Sequence, residues 1–215
     1  MTPLPATPRV HVAVMAKQPL PGLAKTRLAP ALGADGAARL AARLLEHALA
    51  QASSAAVGPV TLYLDPDTAH APTQAAALAH GAVLQPQGGG DLGERMERLL
   101  RAGLAHEPAA LVMGTDAPGL DAVALQAAAA ALQHHDAVVV PALDGGFVLL
   151  GLTRCPPGLL QGLRWSHAQV LHDTLARLAG AGLACAVLPA VADIDTPDDL
   201  HHLPSGWTPW NDSCP

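Results

Sequence analysis

Three cationic side chains stand close together near the start of the chain: Lys17, Lys25 and Arg27. Gly22 lets the backbone between them approach a bound molecule closely, and Thr26 adds a hydroxyl group. Lysine offers a point charge and arginine a planar fork of donors, and both suit phosphate oxygens. The loop matches neither GxxxxGKS/T nor GxGxxG. These residues indicate a site for an anionic, phosphorylated ligand, with a solvated basic loop as the simpler alternative.

A carboxylate follows a second apolar run. Asp116 lies in residues 114–119, directly after residues 109–113, whose continuous apolar character predicts a buried central strand. The carboxyl end of such a strand is where open α/β sheets bind ligands, and a carboxylate is the hard oxygen ligand that Mg²⁺ and Mn²⁺ prefer. A turn aspartate that accepts from its own backbone explains the pattern equally well.

A late acidic segment contains Asp193 and Asp195 on either side of Ile194. In an extended segment both carboxylates would point to one side and the isoleucine to the other, which gives two oxygen donors on one face. Helix capping accounts for the following Asp198 and Asp199 without any ligand, because carboxylates at a helix start accept from free backbone N–H groups. For Asp193 and Asp195 both interpretations stay open.

Asp144 begins the sequence Asp-Gly-Gly-Phe, which favours a hairpin turn because glycine adopts positive φ at little cost. Two glycines beside a carboxylate also leave room for a substrate. The 11 histidines include no HExxH pattern, and there is no GxSxG motif, so neither zinc binding nor covalent hydrolase chemistry is indicated.

Strand and helix patterns alternate along the chain and would position these residues. Apolar runs predict strands at residues 9–15, 60–64, 82–85, 109–113, 137–140, 147–152 and 184–188. Helical spacing predicts helices at residues 33–53, 68–79, 91–104, 121–133 and 166–178, with a short one after Thr196. Asp91 and Ser166 are the expected N-caps, and residues 190–194 are expected to be extended. This alternation predicts an α/β fold with a mostly parallel sheet covered on both faces.

Length, composition and net charge exclude several classes of protein. A length of 215 residues suits one domain, predicted at residues 9–203 with a tail at 204–215, and 50% hydrophobic against 14% charged residues excludes a disordered chain. A net charge of −6 argues against a nucleic-acid partner. Three dispersed cysteines, no secretory signal pattern and no apolar stretch of about 20 residues indicate a cytoplasmic protein without a membrane partner.

Six motifs occur in a fixed order: the loop at residues 17–28, GDLGERM at 90–96, GTDAPGL at 114–120, DGGF at 144–147, WSHAQVL at 165–171 and DIDTPDDL at 193–200. This set resembles the glycosyltransferase-A-like bacterial family of radical-SAM/selenodomain-associated, arsenosugar-biosynthesis-type transferases, within the nucleotide-diphospho-sugar transferase superfamily. Two positions depart from the family pattern, since Phe147 replaces the usual tyrosine and His167 the usual threonine.

The resemblance implies a three-layer, Rossmann-like α/β/α fold and a role for each motif. The phosphate-facing residues would be Lys17, Gly22, Lys25, Thr26 and Arg27. Asp116 would hold Mg²⁺ or Mn²⁺, Asp193 and Asp195 would complete the metal site, and Asp144 would be a general base on the acceptor side. The cations would then face the carboxylates across a gap, which requires Lys25 and Arg27 to lie near Asp116.

Three functions are compatible with these residues. The first is a metal-dependent transferase with a nucleotide-activated donor, foremost a glycosyltransferase acting on a small-molecule acceptor. The second is a nucleotidyltransferase that joins a nucleoside triphosphate to a phosphorylated small molecule. The third is a non-catalytic nucleotide-binding protein. The sequence leaves the oligomeric state open, with a homodimer as one option.

Overall fold

Strands and helices alternate along the chain in the computed structural model, which describes residues 9–66 and 70–207. The strands in these residues are β1 (Val10–Lys17), β2 (Val60–Asp65), β3 (Val83–Pro86), β4 (Ala109–Met113), β5 (Ala137–Pro141), β6 (Phe147–Leu152) and β7 (Cys185–Val187). The α-helices are α1 (Ala29–Ala55), α2 (Ala71–Ala79), α3 (Leu92–Leu104), α4 (Ala122–Ala131) and α5 (Val170–Gly180). Short 3₁₀ helices occur at Thr26–Leu28 and Pro197–His202.

The seven strands form one sheet in the order β3-β2-β1-β4-β6-β5-β7. Strand β1 pairs in parallel with β2 and β4, β2 with β3, and β5 with β7. Strand β6 runs antiparallel to β4 and β5, because the turn that contains Asp144 returns the chain directly as a hairpin. The sheet is therefore mostly parallel, as predicted, with one reversed strand.

Two helical layers cover the sheet. Alternate residues of β1 face opposite sides, so that Val12 joins a core with α1 and α4, whereas Ala13 joins a core with α3 and α5. Leu49 and Leu125 are fully buried in the first core, and burial of such a side chain contributes about 1.5–3 kcal/mol. The expected three-layer α/β/α architecture is confirmed.

The N-terminus of α3 has the predicted cap. The Asp91 side chain accepts from the backbone N–H of Glu94, and the Glu94 side chain accepts from that of Asp91, both at 2.9 Å. This reciprocal capping box satisfies two donors that the helix leaves free. It fixes the start of α3 beside the carboxyl end of β3.

Other helix starts differ from the predictions. Helix α1 begins at Ala29 but is interrupted at Gly33, where φ is 72° and ψ is 164°. The helix predicted to start at residue 33 therefore corresponds to the part of α1 after this interruption. The prediction of Ser166 as a helix cap is wrong. Its φ is 63°, which lies outside the extended region that a cap requires, and the helix instead follows Gln169. Helix α2 begins at Ala71, and residues 67–69 lie outside the described part of the chain.

The last segment wraps back onto the sheet and α1. Val191 forms a parallel bridge with Ala142, and Ile194 is fully buried. Trp207 packs edge-on against His47 and lies under the Arg43 guanidinium, 4.5 Å from its ring centre. The remainder of the predicted tail, residues 208–215, falls outside the described residues.

No helix in residues 9–66 and 70–207 combines the length and the apolar character needed to cross a membrane.

Candidate active site

A cavity of about 520 Å³ opens at the carboxyl ends of β1 and β4. We call it the first cavity. Parallel strands that end together leave a crevice at this edge, which is where open α/β sheets bind ligands. Charged residues from separated segments of the sequence line it: Lys17, Lys25, Arg27, Arg95, Asp116, Asp144 and Asp195.

Lys25 makes three contacts at the floor of the first cavity. Its Nζ donates to Asp116 Oδ1 at 2.7 Å, to Asp195 Oδ1 at 2.8 Å and to the carbonyl oxygen of Ile194 at 2.6 Å. The Lys25 side chain is only 7% exposed, against 46% for Asp116 and 40% for Asp195. Burial by itself would lower the pKa of Lys25, but the two carboxylates outweigh it and raise that pKa. Lys25, Asp116 and Asp195 are called the Lys25 cluster below.

Backbone contacts hold the Lys25 cluster together. The N–H of Ile194 donates to the carbonyl oxygen of Asp116 at 2.9 Å, which ties the late acidic segment to the end of β4. Lys25 adopts the left-handed conformation, with φ 51°, immediately before the 3₁₀ helix whose last residue, Leu28, is fully buried. The predicted proximity of Lys25 to Asp116 is therefore observed, but as direct contact. The expected gap between cation and carboxylate is absent.

The other predicted phosphate-facing side chains are exposed. Lys17 ends β1, and Thr26 and Arg27 follow Lys25; all three line the first cavity. Within the described ranges, neither Lys17 nor Arg27 forms an ion pair with a carboxylate. Gly22 has φ 75° and stands outside the cavity lining, with no heavy atom within 4 Å of where a Cβ would lie. Gly22 thus shapes the loop and does not contact the cavity.

A second cavity of about 330 Å³ adjoins the first, and Arg27, Asp144 and Asp195 line both. Its lining also includes Asp193, as the alternation across the buried Ile194 predicts. Burial, followed by the nearby charge of Asp144, raises the pKa of Asp193 to about 6. Both predicted metal ligands therefore line the second cavity, and Asp195 also contacts Lys25 in the first cavity.

The Asp144 turn is held by close backbone packing. Asp144 Oδ1 accepts from the Gly146 N–H at 2.8 Å, and the Gly145 carbonyl accepts from the Leu171 N–H at 2.9 Å. A Cβ on Gly145 would lie 2.2 Å from the Ala168 carbonyl oxygen, and its φ is 92°, so glycine is required here. Ser166, which lines the first cavity beside this turn, holds φ 63° without being glycine. Such backbone strain often accompanies functional sites.

Two polar residues of the first cavity were not singled out from the sequence. Gln87 is 3% exposed and donates to the carbonyl oxygens of Ala16 and Tyr63, which joins the ends of β1 and β2. Arg95 donates from Nη1 to the Gln87 side chain at 3.0 Å and to Asp65 at 3.3 Å. The sequence did carry a signal for Arg95, because this residue lies in the GDLGERM motif at residues 90–96.

The donor set fits a divalent ion only in part. No group of three His, Cys, Asp or Glu side chains that could hold a metal is found in the residues that the structure describes. Asp116 and Asp195 each accept a hydrogen bond from Lys25 through Oδ1. Among the residues that the structure describes, their Oδ2 atoms have no hydrogen-bond partner. Mg²⁺ is commonly bound by one or two carboxylates together with substrate phosphates, and these two side chains meet that requirement.

Solved structures share this fold. A candidate nucleotide-diphospho-sugar transferase from Desulfovibrio desulfuricans G20 is 31% identical, with a TM-score of 0.76 over 89% of this chain and 84% of its own. Glucosyl-3-phosphoglycerate synthase from Mycobacterium tuberculosis, solved with Mn²⁺ and uridine diphosphate, is 15% identical, with a TM-score of 0.54 over 90% and 75% of the two chains. The 2-C-methyl-D-erythritol 4-phosphate cytidylyltransferase from Thermus thermophilus is 20% identical, with a TM-score of 0.53 over 90% and 96%.

No curated protein matches the sequence significantly. A family model matches residues 47–167, which is more than half of the chain and includes the end of β4, the Asp144 turn and Trp165 to His167. With the architecture, the crevice at the sheet edge and the 31% identical structure, this match fixes the family. The chain belongs to the family described as "Uncharacterized protein conserved in bacteria (DUF2064)".

Proposed function

We propose that this protein is a metal-dependent transferase that moves a sugar from a nucleotide-diphospho-sugar to a small-molecule acceptor. The observation that carries the proposal is the first cavity, where exposed cations and carboxylates that suit a divalent ion line one crevice at the carboxyl edge of the sheet. A diphosphate needs both, because the cations hold its oxygens and the carboxylates hold the accompanying ion. The 31% identical transferase-type structure supports this donor class. We also propose that the protein is one of the radical-SAM/selenodomain-associated transferases that its motifs resemble.

The donor side consists of Lys17, Arg27 and the Lys25 cluster. Lys17 and Arg27 would bind the phosphate oxygens, since both are exposed to the cavity and carry unpaired charge among the described residues. Asp116 and Asp195 would hold Mg²⁺ or Mn²⁺, which when bound supplies charge neutralisation for the departing nucleoside diphosphate. Gln87 and Arg95 brace the ends of β1 and β2 around this end of the cavity.

The acceptor side is the second cavity with the Asp144 turn. Asp144 would take the proton of an acceptor hydroxyl while that oxygen bonds the sugar's anomeric carbon and the bond to the donor phosphate oxygen breaks. Asp193 would accept a hydrogen bond from the same molecule, because it lines the second cavity beside Asp144. Its predicted role as a metal ligand beside Asp195 stays a prediction.

The charge of the second cavity favours sugar transfer over nucleotidyl transfer. Four carboxylates line it, from Asp144, Asp193, Asp195 and Asp199, against the single guanidinium of Arg27. A phosphorylated acceptor, which the nucleotidyltransferase alternative requires, would be repelled by this lining. A neutral, hydroxyl-rich or cationic acceptor would not.

Binding of the donor is tested by thermal shift with a panel of nucleoside diphosphates and nucleotide sugars, with and without Mn²⁺. We expect stabilisation by nucleotide in the presence of Mn²⁺, and its loss in Asp116→Ala. Asp35→Ala is the matched control, because Asp35 is an exposed aspartate outside both cavities. Stabilisation that Asp116→Ala leaves intact would refute the proposal.

The reaction class is tested by the released product. Sugar transfer releases a nucleoside diphosphate from a nucleotide sugar, whereas nucleotidyl transfer releases pyrophosphate from a nucleoside triphosphate. Chromatography of the nucleotides and an enzymatic pyrophosphate assay separate these outcomes. Binding of Mn²⁺ and nucleotide without turnover, over a broad set of neutral and phosphorylated acceptors, would favour the non-catalytic alternative.

A further inference from the structure

The ammonium group of Lys25 has no donor left for a ligand. An ammonium carries three N–H donors, and three protein oxygens lie at hydrogen-bond distance from Nζ, on Asp116, Asp195 and the Ile194 backbone. Only 7% of the side chain is exposed. Lys25 therefore cannot bind phosphate in this arrangement, although it stands in the phosphate-facing loop.

The same contacts place a fixed positive charge between the two carboxylates that would hold a divalent ion. Asp116 and Asp195 each direct Oδ1 at Lys25, so an ion that took both oxygens would have to displace the ammonium. An ion that bound only the Oδ2 atoms would stand close to a buried like charge, where repulsion is weakly screened. Either arrangement makes a free divalent ion a poor ligand.

We propose that Lys25 blocks the carboxylates against a free divalent cation and releases them only when nucleotide phosphate accepts its hydrogen bonds. This inference rests on the proposed function, because it assigns an order of binding to that same site. Lys25 lines the same cavity as Lys17 and Arg27, so phosphate held there by those two cations would lie within reach of its four-carbon chain. The ion and the phosphate then bind together: phosphate takes over the hydrogen bonds of Lys25, and the ion takes over the carboxylates that Lys25 leaves.

Linkage gives this arrangement a measurable form. If phosphate raises the affinity for the ion, the ion raises the affinity for phosphate by the same factor. Removal of Lys25 eliminates the block, so the carboxylates become free to bind the ion alone. It also removes a phosphate contact, so nucleotide affinity falls while affinity for the free ion rises. A residue that served only as a phosphate ligand, or only as a structural support, would not produce opposite changes.

Electron paramagnetic resonance of Mn²⁺ tests the proposal directly, because free and bound Mn²⁺ differ in signal. Wild-type protein, Lys25→Met and Lys17→Met are titrated with MnCl₂ alone and then with saturating UDP, GDP, CDP or ADP. We expect Lys25→Met to bind Mn²⁺ alone about tenfold more tightly than wild type, within the usual range of coupling between sites. Nucleoside diphosphate should tighten Mn²⁺ binding about tenfold in wild type and much less in Lys25→Met.

Lys17→Met is the matched control. It removes one positive charge from the same loop but no contact to Asp116 or Asp195, so affinity for Mn²⁺ alone should stay within about twofold of wild type. An equal gain in Lys17→Met would overturn the proposal, because general charge would then explain the effect. No gain in Lys25→Met would overturn it as well. If Lys25→Met does not fold, Lys25→Gln replaces it, since glutamine keeps donors without the charge.

The outcomes also separate this inference from the proposed function. If no nucleotide binds but Lys25→Met gains Mn²⁺ affinity, the proposed function is refuted and the block by Lys25 is supported, without its release by phosphate. If nucleotide and Mn²⁺ bind wild type independently, the proposed function survives and the inference is overturned.

Discussion

The two sides of the candidate site are built differently. On the donor side the ammonium group of Lys25 contacts both carboxylates of its cluster, at 2.7 and 2.8 Å, and offsets part of their charge, and a backbone hydrogen bond joins the segments. On the acceptor side Asp144 and Asp193 line the second cavity together, and the pKa of Asp193 is raised to about 6 by burial and by the nearby charge of Asp144. The donor side is thus organised before a ligand arrives, whereas the acceptor side leaves like charges for a ligand to satisfy.

The largest expected effect comes from breaking the donor side at its carboxylate. Asp116→Asn keeps the shape and one hydrogen bond to Lys25 but removes the charge, so the fold should persist. We expect kcat/KM to fall about 10²- to 10³-fold, as when one group that stabilises transition-state charge is lost. Steady-state kinetics with the donor and acceptor identified by the panel measure this. Asp35→Asn is the control, and an equal loss there would contradict the assignment.

On the acceptor side, Gly145→Ala should cost the most stability. The added methyl group would lie 2.2 Å from the Ala168 carbonyl oxygen at a φ of 92°, which combines overpacking with left-handed strain and costs about 2–4 kcal/mol. Urea denaturation measures the change. Gly22→Ala is the matched control, since its φ is 75° but no atom lies within 4 Å, and it should cost only about 1–2 kcal/mol. Equal losses would mean that the Ala168 contact is unimportant.

Loss of the lysine should destabilise the donor side more moderately. Lys25→Met leaves Asp116 and Asp195 repelling each other, but both are more than a third exposed, so water screens them and we expect a loss of about 1–3 kcal/mol. Chemical denaturation of Lys25→Met beside Lys17→Met checks this, and the exposed Lys17 should change the free energy of unfolding by less than about 0.5 kcal/mol. A stable Lys25→Met protein would show that the cluster adds nothing to the fold.

The smallest effect tests the strain on the acceptor side. Ser166→Gly removes a left-handed serine, so the free energy of unfolding should rise by at most about 1 kcal/mol. If the strain shapes the cavity, KM for the acceptor should rise while nucleotide binding stays constant. Ala56→Gly is the control, because Ala56 has φ 52° at the end of α1, away from both cavities. In Ala56→Gly the free energy of unfolding should rise while KM for the acceptor stays unchanged.

Much of the fold could be predicted because the signals are local. The apolar run of β4, the Asp91 capping box and the Asp-Gly-Gly turn each depend on a few neighbouring residues, and all three are found as predicted. The prediction for Ser166 failed because serine favours a helix cap only when its backbone is extended. Here Ser166 has φ 63°, in a segment whose Ala168 carbonyl oxygen lies against the Gly145 turn, and no local pattern predicts that contact.

The candidate residues were visible in the sequence, but their partners were not. Local residue patterns predicted the alternating α/β architecture and placed the loop at residues 17–28 and Asp116 at the carboxyl ends of strands, because propensity and periodicity act over short stretches. The contact between Lys25 and Asp195, which are 170 positions apart, and the place of Asp193 outside the lining of the first cavity are visible only in the folded chain. Contacts between distant segments depend on how strands and loops cross in space, and a local residue pattern carries no information about those distances.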